Sequence, residues 1–526
     1  MFKQITDYLN FLKYKNQFIF FNKKNFFDIK NEKKNIILVE FNTNNLSIIA
    51  YSFFLNFLKK KHKAKIISYL FTFEKSLFQR LKLLILNNIN YKFFGIYKSF
   101  GVEKFILNKF NNKDNKSFLN LYQKYFKNLK SKKDLLILKI DGILIGDILY
   151  DSYLRMNNLP TINLNDDNFI NFSKKFLSIF LYWNDYIKKN KKNIKAIAVS
   201  HCVYYAALPM RICLKHKIDS YQVNGQSLYK LNKNELFAYK EFKEYPKLFK
   251  KIKNKNKNKF LLDSKKRLQM RFEGKIGVDM RYSTKSAYGK IKKKRLLKKS
   301  KKIKILIAAH CFSDSPHSYG YNIFNDFYDW INTLGKISEK TNYDWYIKTH
   351  PDYIESSRLT LIELTNKYPK IKMLPSSVSH NQLIKEGVNF VLTCYGTIAH
   401  EYAARNITVI NASLNNPHIA YDFNINPKSL SEYIKIISNL KNLKLKINKK
   451  KVYEFYYMRY LHNANNWLIE DYKSLQNLIG HKSFSKPIIY EYLLPSFSNE
   501  RINKINKTIK NFIDSREYFL QPKHIN

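Results

Sequence analysis

The feature that most constrains the fold is a one-for-one alternation of short apolar runs and amphipathic stretches between residues 303 and 411. The runs fall at 303–309, 344–348, 371–374, 389–394 and 407–411, and helical patterning fills 322–339, 356–367, 380–386 and 397–405. Strands separated by single helices cannot pair through tight turns, so they return by right-handed crossovers and form a parallel sheet. The half before residue 245 repeats the pattern more loosely. Its apolar runs lie at 35–41, 64–71, 93–97, 134–140, 195–199 and 220–223, and its helical stretches at 44–60, 115–129, 168–189 and 203–215. The expectation is an α/β chain with two Rossmann-like domains.

A chain of 526 residues exceeds one ordinary core. The expected division is an N-terminal domain at 1–245, a lysine-rich solvated connection at 246–302, a C-terminal domain at 303–445 and a helical extension at 446–526. Within the connection, residues 271–283 are less lysine-biased and are expected to pack on a domain. The formal charge of +54 suggests nucleic acid at first sight. Lysine here travels with abundant Asn, Ile, Phe and Tyr while Gly, Pro and Ala are scarce, as an A+T-rich coding sequence would impose. No basic-aromatic RNA motif or recognition helix accompanies it, so nucleic acid is not an expected partner. The field would still draw the chain towards anionic sugars, nucleotides and the surface of an anionic membrane. Cys202, Cys213, Cys311 and Cys394 are widely spaced, which argues against zinc and against a disulfide framework. No apolar run approaches the roughly 20 residues of a spanning helix, and the first thirty residues lack a signal-peptide pattern. A cytoplasmic protein is expected, with peripheral contact at the inner membrane face.

Polar groups gather where the C-terminal runs end. Lys348-Thr349-His350-Pro351 follows the second run, and Thr393-Cys394-Tyr395-Gly396-Thr397 follows the fourth. A Lys and a His at one strand end suit a phosphate or a leaving group. Gly396 would allow close backbone approach or a positive φ and Thr397 would cap the next helix, where Glu401 is placed to hold a ribose and His400 to meet a base. The loop after the first run, with His310, Ser313 and Asp314, is read as a donor-contacting loop; His310, Asp314 and His317 as a metal set lack supporting carboxylates. In the N-terminal half Asp147 and Asp151, four apart, share a helix face. Either of them, or His201 after the 195–199 run, is a candidate general base.

The order strand, Lys-Thr-His-Pro, strand, Tyr-Gly-Thr, His-Glu, strand over about 300–440 resembles the donor domain of GT-B glycosyltransferases of bacterial surface polysaccharides. The nearest groups are the His-Pro capsule-synthesis proteins, including Kdo and sialic-acid transferases. It is also similar to teichoic-acid glycerophosphotransferases and to UDP-N-acetylglucosamine 2-epimerases. The resemblance implies two Rossmann-like domains with an interdomain cleft. It implies metal-independent transfer, without a cofactor, from a nucleotide sugar (CMP or UDP) to a glycan or lipid-linked acceptor of the cell surface. It assigns His350 and Thr397 to the donor phosphates. Two departures from the family stand out: Tyr-Gly-Thr replaces a Ser-Ser or Ser-Gly pair, and Asp141-Gly142 is the only trace of an acidic-Gly base motif. The alternatives are a nucleotide-sugar 2-epimerase-like enzyme, a GT-B scaffold without activity, and a basic nucleic-acid-binding protein.

Overall fold

In the computed structural model, which describes residues 2–26, 34–71, 77–107, 115–279, 285–350, 355–462, 466–480 and 486–525, two units each carry their own parallel sheet. Unit 1 comprises Met1–Leu149, Leu164–Ala238 and Asn463–Asn526, and unit 2 comprises Tyr150–Asn163 and Tyr239–His462. The strands of unit 1 are β1 (Asn35–Glu40), β2 (Ala64–Leu70), β3 (Val102–Leu107), a small hairpin of β4 (Lys139–Ile140) and β5 (Ile143–Leu144), β6 (Ile194–Val199), β7 (Asp219–Asn224) and β8 (Ser227–Leu231). Its main sheet has the order β3-β2-β1-β6-β7-β8, parallel except for β8. Unit 2 contributes β9 (Lys304–Ala308), β10 (Asp344–Lys348), β11 (Ile371–Met373), β12 (Phe390–Thr393) and β13 (Thr408–Asn411). Its order is β11-β10-β9-β12-β13, parallel throughout. In both sheets the order reverses beside the first strand, the Rossmann-like pattern expected from the alternation.

The unit 2 strands read as continuous apolar runs because both faces are covered. Ile305 and Ile307 pack with Trp330, Leu334 and Leu361 on one face, and Leu306 packs with Leu383, Tyr402 and Val409 on the other. In unit 1 the helix Asn45–His62 is buried along nearly its whole length. It is started by Asn44, whose side chain accepts from the Ser47 N–H at 3.1 Å.

Several expectations change. The run 93–97 is helical (Phe93–Ser99), and the strand is Val102–Leu107, whose exposed Glu103 and Lys104 interrupt the apolar pattern. An edge strand tolerates such charges, whereas a short apolar run does not by itself distinguish strand from helix. The run 134–140 holds a short helix, Lys132–Leu136, and the β4–β5 hairpin. Asp141-Gly142 is the tip of that hairpin, with φ of 50° and 74° as a primed turn requires, and is not a base motif.

The lysine-rich connection is structured. Helices Tyr245–Lys250 and Asn254–Phe272 bury Phe249, Leu268 and Phe272 with Tyr421, Val452 and Phe455. Nor does 446–526 form one extension. Residues 449–462 belong to unit 2, while Trp467, Ile489, Tyr490 and Phe512 join the unit 1 core. Tyr490 stacks on Phe18 with centroids 4.5 Å apart, and Phe497 meets Phe53 at 4.9 Å.

Residues 150–163 are tied to unit 2 by Asp326. Its carboxylate accepts from Tyr150 Oη and from Thr161 Oγ1 (2.6 Å), and caps the helix Phe327–Lys340 by accepting from Asp329 N at 2.7 Å. Removing it takes a shared acceptor from two hydroxyls and the cap from a helix start. Asp326→Ala should therefore cost about 2–4 kcal/mol in urea unfolding; a loss within about 0.5 kcal/mol, the size of an ordinary surface change, would show that the cluster contributes little.

Candidate functional site

Because every strand of unit 2 is parallel, the loops after β9, β10 and β12 leave from one edge. They line a cavity of about 370 Å³, within the size range of small-molecule sites. Its floor is Ala309, His310 and Cys311 after β9, Lys348, Thr349 and His350 at the end of β10, and Thr393, Tyr395, Gly396 and Thr397 after β12. The opposite wall comes from the supposed connection: Arg271, Lys275–Val278 and Lys285–Tyr288.

That wall is stitched in place. His380 N donates to Ala287 O at 3.0 Å, Ser379 Oγ to Gly289 O at 2.7 Å, and Asn381 Nδ2 to Phe272 O at 2.7 Å. Arg271 pairs with one oxygen of Glu401, and Tyr288 Oη donates to the other at 2.7 Å. Arg267 and Tyr456 both bind Asp279, which fixes the turn after Val278.

The electrostatics of the floor are one-sided. Lys348 is 2 % exposed. Its ammonium donates to the Thr349 carbonyl at 3.3 Å, and among the described residues it has no acidic partner. Burial alone lowers its pKa to about 8. Burial likewise pushes His310 down to about 3, with the positive charge of His350 adding to the effect. His380 is pushed well below the ordinary imidazole range by burial and then by Lys348 and His350. The single carboxylate in the described lining, Glu401, already accepts on both oxygens. A buried cation without a counter-ion is costly unless a ligand supplies one. The cavity is therefore built for an anion.

His310 is neutral and its tautomer follows from its neighbours: Cys394 N donates to Nε2 at 3.3 Å, so the proton sits on Nδ1. Thr393 Oγ1 lies 3.1 Å from the same Nε2 and accepts from Gly396 N at 3.2 Å. A methyl at Gly396 would lie 2.8 Å from that hydroxyl oxygen. Close approach, not positive φ, is why glycine stands there.

The cavity gathers His310, Lys348, His350, Tyr395, Gly396, Thr397 and Glu401 from the sequence candidates. Pro351 lies outside the described residues, as do 280–283 of the less biased segment. Thr397 occupies the cap position without a side-chain capping bond. The other candidates go elsewhere. His400 points into the core, its Nδ1 3.2 Å from His418 Nε2, and so reaches no base. Ser313 Oγ donates to Asn158 Oδ1 at 3.2 Å, and Asp314 pairs on the surface with Arg155. His317 is taken by Asp151 (2.7 Å) and by the Asn325 carbonyl (2.8 Å), so His310, Asp314 and His317 do not converge. Both ring nitrogens of His317 are thus engaged, and Asp151 is bound to that ring with both groups buried. Asp147 is held by Arg211, at 2.7 Å with both groups buried. Residues 271–279 do pack here, as the reduced lysine bias of 271–283 suggested, and residues 285–288 of the same wall were not singled out from sequence.

His201 stands at the carboxyl end of β6 in unit 1, where the strand order reverses next to β1. Ser200 donates its N–H (2.7 Å) and its hydroxyl (2.9 Å) to Glu40 Oε2 at the end of β1. With its proton spent, Ser200 Oγ accepts from Asn42 Nδ2 at 2.7 Å and from His201 Nδ1 at 3.1 Å. That contact sets the orientation of the His201 imidazole. Glu40, Ser200 and Asn42 were not singled out from sequence.

No protein-family model matches the sequence, and no curated protein matches it. Similar solved structures include KpsC, a beta Kdo 2,4 transferase of Thermosulfurimonas dismutans, with 10% identity and a TM-score of 0.32 over 51% of this chain and 80% of that one. UDP-GlcNAc 2-epimerase from Neisseria meningitidis, bound to UDP-GlcNAc, matches at 11% identity and a TM-score of 0.22 over 80% of this chain and 95% of that one. A glycosyltransferase from Rickettsia africae ESF-5 matches at 12% identity and a TM-score of 0.24 over 89% of this chain and 100% of that one. Likenesses of this size identify no relative.

The state of Lys348 gives a signed prediction. Between about pH 8 and 10.5 the unfolded lysine holds a proton that the folded one has lost. Stability attributable to this side chain therefore rises with pH across that window, and its cost is greatest below it. Lys348→Met should stabilise the ligand-free protein at pH 7 by on the order of 1–3 kcal/mol, a gain that shrinks by pH 10. Paired urea titrations of the two proteins at both pH values measure it; a destabilised Lys348→Met would mean that the charge is compensated.

Proposed function

We propose that the chain is a glycosyltransferase that takes a sugar from a nucleotide-sugar donor and places it on a hydroxyl of a surface glycan or its lipid-linked precursor. The observation that carries this reading is the buried Lys348, with no counter-ion among the described residues, set among strand-end loops in the unit 2 cavity. Such a site takes the phosphate of a nucleotide at the carboxyl ends of parallel strands. Lys348 and His350 neutralise the phosphate that leaves as the anomeric C–O bond breaks. Thr397, whose hydroxyl makes no capping bond, holds another of its oxygens, and the wall at Ile276–Val278 faces the base and ribose. The acceptor hydroxyl gives its proton to the His201 imidazole, whose orientation Ser200 and Glu40 hold. CMP and UDP remain the two donor nucleotides that the resemblance implies. A 2-epimerase would need acids converging on the sugar, and Glu401, the one carboxylate in the described lining, is bound on both oxygens.

Screening CMP, CDP, UDP and GDP by thermal shift tests the donor site, since a ligand at about 100 times its Kd adds roughly 2.7 kcal/mol. The expected result is one clear stabiliser, lost in Lys348→Met, whose affinity falls up to roughly tenfold per pH unit above about pH 8 as the lysine deprotonates. Silence from all four would sink the reading.

With the responsive nucleotide's sugar as donor, His350→Ala should lower kcat by roughly a hundredfold or more and leave the melting temperature in place. His201→Ala should do the same. Glu40→Gln should shift the pH–rate profile more than it changes KM. Wild-type turnover in His201→Ala would remove the base assignment while leaving the donor site standing.

A further inference from the structure

In unit 1 the helix Leu77–Asn88 is apolar on the side away from the protein as well as on the side that packs. Leu83 and Leu86 turn inward and are half-buried. Phe78, Leu81, Leu84, Ile85 and, one turn on, Ile89 are all 50–75 % exposed. At 100° per residue these five occupy one outward stripe, opposite Leu83 and Leu86. The helical hydrogen bonding runs on to Ile89, whose N–H donates to the Ile85 carbonyl at 3.0 Å. A soluble surface helix turns polar residues to water, and a contiguous exposed apolar stripe marks a contact site.

The charge around the stripe selects the occupant. Residues 77–102 hold no Asp or Glu but carry Arg80, Lys82, Lys92 and Lys98. Lys82 is exposed at the border of the stripe. The adjoining turn rests on the first helix, Phe2–Phe26, through Lys15, whose ammonium donates to Asn90 O at 2.9 Å. That helix carries Lys3, Lys13, Lys15, Lys23 and Lys24 against one acid, Asp7. A second copy of a chain with net charge +54 would be repelled. An anionic leaflet supplies both the apolar interior and the opposite charge. No helix of the described residues is long and apolar enough to cross a membrane.

We propose that helix Leu77–Asn88 inserts its outer face, through Phe78, Leu81, Leu84, Ile85 and Ile89, into the acyl boundary of an anionic lipid leaflet, with the neighbouring lysines on the headgroups. This surface is separate from the unit 2 cavity and does not depend on the glycosyltransferase reading.

The test is sedimentation of the full chain with phosphatidylcholine vesicles, with and without phosphatidylglycerol. Wild type should bind the anionic vesicles and keep part of that binding at high salt. Phe78→Ser/Leu81→Ser/Ile85→Ser should bind them on the order of a hundredfold more weakly. A Leu81→Trp variant keeps the stripe apolar; its added emission should shift to the blue with anionic vesicles and be quenched by brominated acyl chains. Equal binding by wild type and triple variant, an unshifted tryptophan, or a wild-type dimer that the triple variant splits would each overturn the proposal.

Discussion

Parallel pairing on both sides of β9 is the constraint from which the candidate site follows. A strand hydrogen-bonded in parallel to two neighbours must be left and regained over the faces of the sheet, so every strand ends at the same edge. The reversal of strand order next to β9 then opens a crevice between the loops that follow it and β12. His310, Lys348 and Gly396 are far apart in sequence and close in space for this reason alone. The same geometry in unit 1 brings Glu40 at the end of β1 to Ser200 at the end of β6.

Charge in this protein matters by position, not by amount. With 94 Lys and Arg against 40 Asp and Glu, most basic side chains are solvated and say little about function. The informative groups are the buried ones. Asp147 with Arg211, and Asp151 with His317, are buried pairs in which each carboxylate has its partner. Lys348 is buried with a carbonyl as its partner, and the carboxylate in its described lining is committed to Arg271 and Tyr288. That asymmetry separates a ligand site from a structural network, and spacing along the chain does not express it.

The strands of unit 2 were legible because a sheet covered on both faces needs uninterrupted apolar runs of strand length, and five of them stand between 303 and 411. In unit 1 the edge strand Val102–Leu107 hid behind Glu103 and Lys104, and the short apolar helix Phe93–Ser99 imitated a strand. The helix Asn254–Phe272 was concealed by its lysines, since it rests on few buried residues, among them Leu268 and Phe272. With it went Arg271 and Tyr288, half of the cavity wall.

The sequence by itself determined the class of fold and the places where strands end in polar turns, because apolar periodicity and turn chemistry act over a few neighbouring residues. It marked Lys348, His350 and Gly396 as residues worth finding together. Tertiary structure alone decided which charges are paired. It set Asp147 and Asp151 in structural ion pairs, gave His201 its orienting serine and glutamate, and turned His400 into the core. It also returned residues 466–480 and 486–525 to unit 1, where Trp467 and Tyr490 complete the core. Burial and ion pairing depend on what the rest of the chain brings to within a few ångströms, and the hydrophobic effect that assembles those neighbours carries no direction along the sequence.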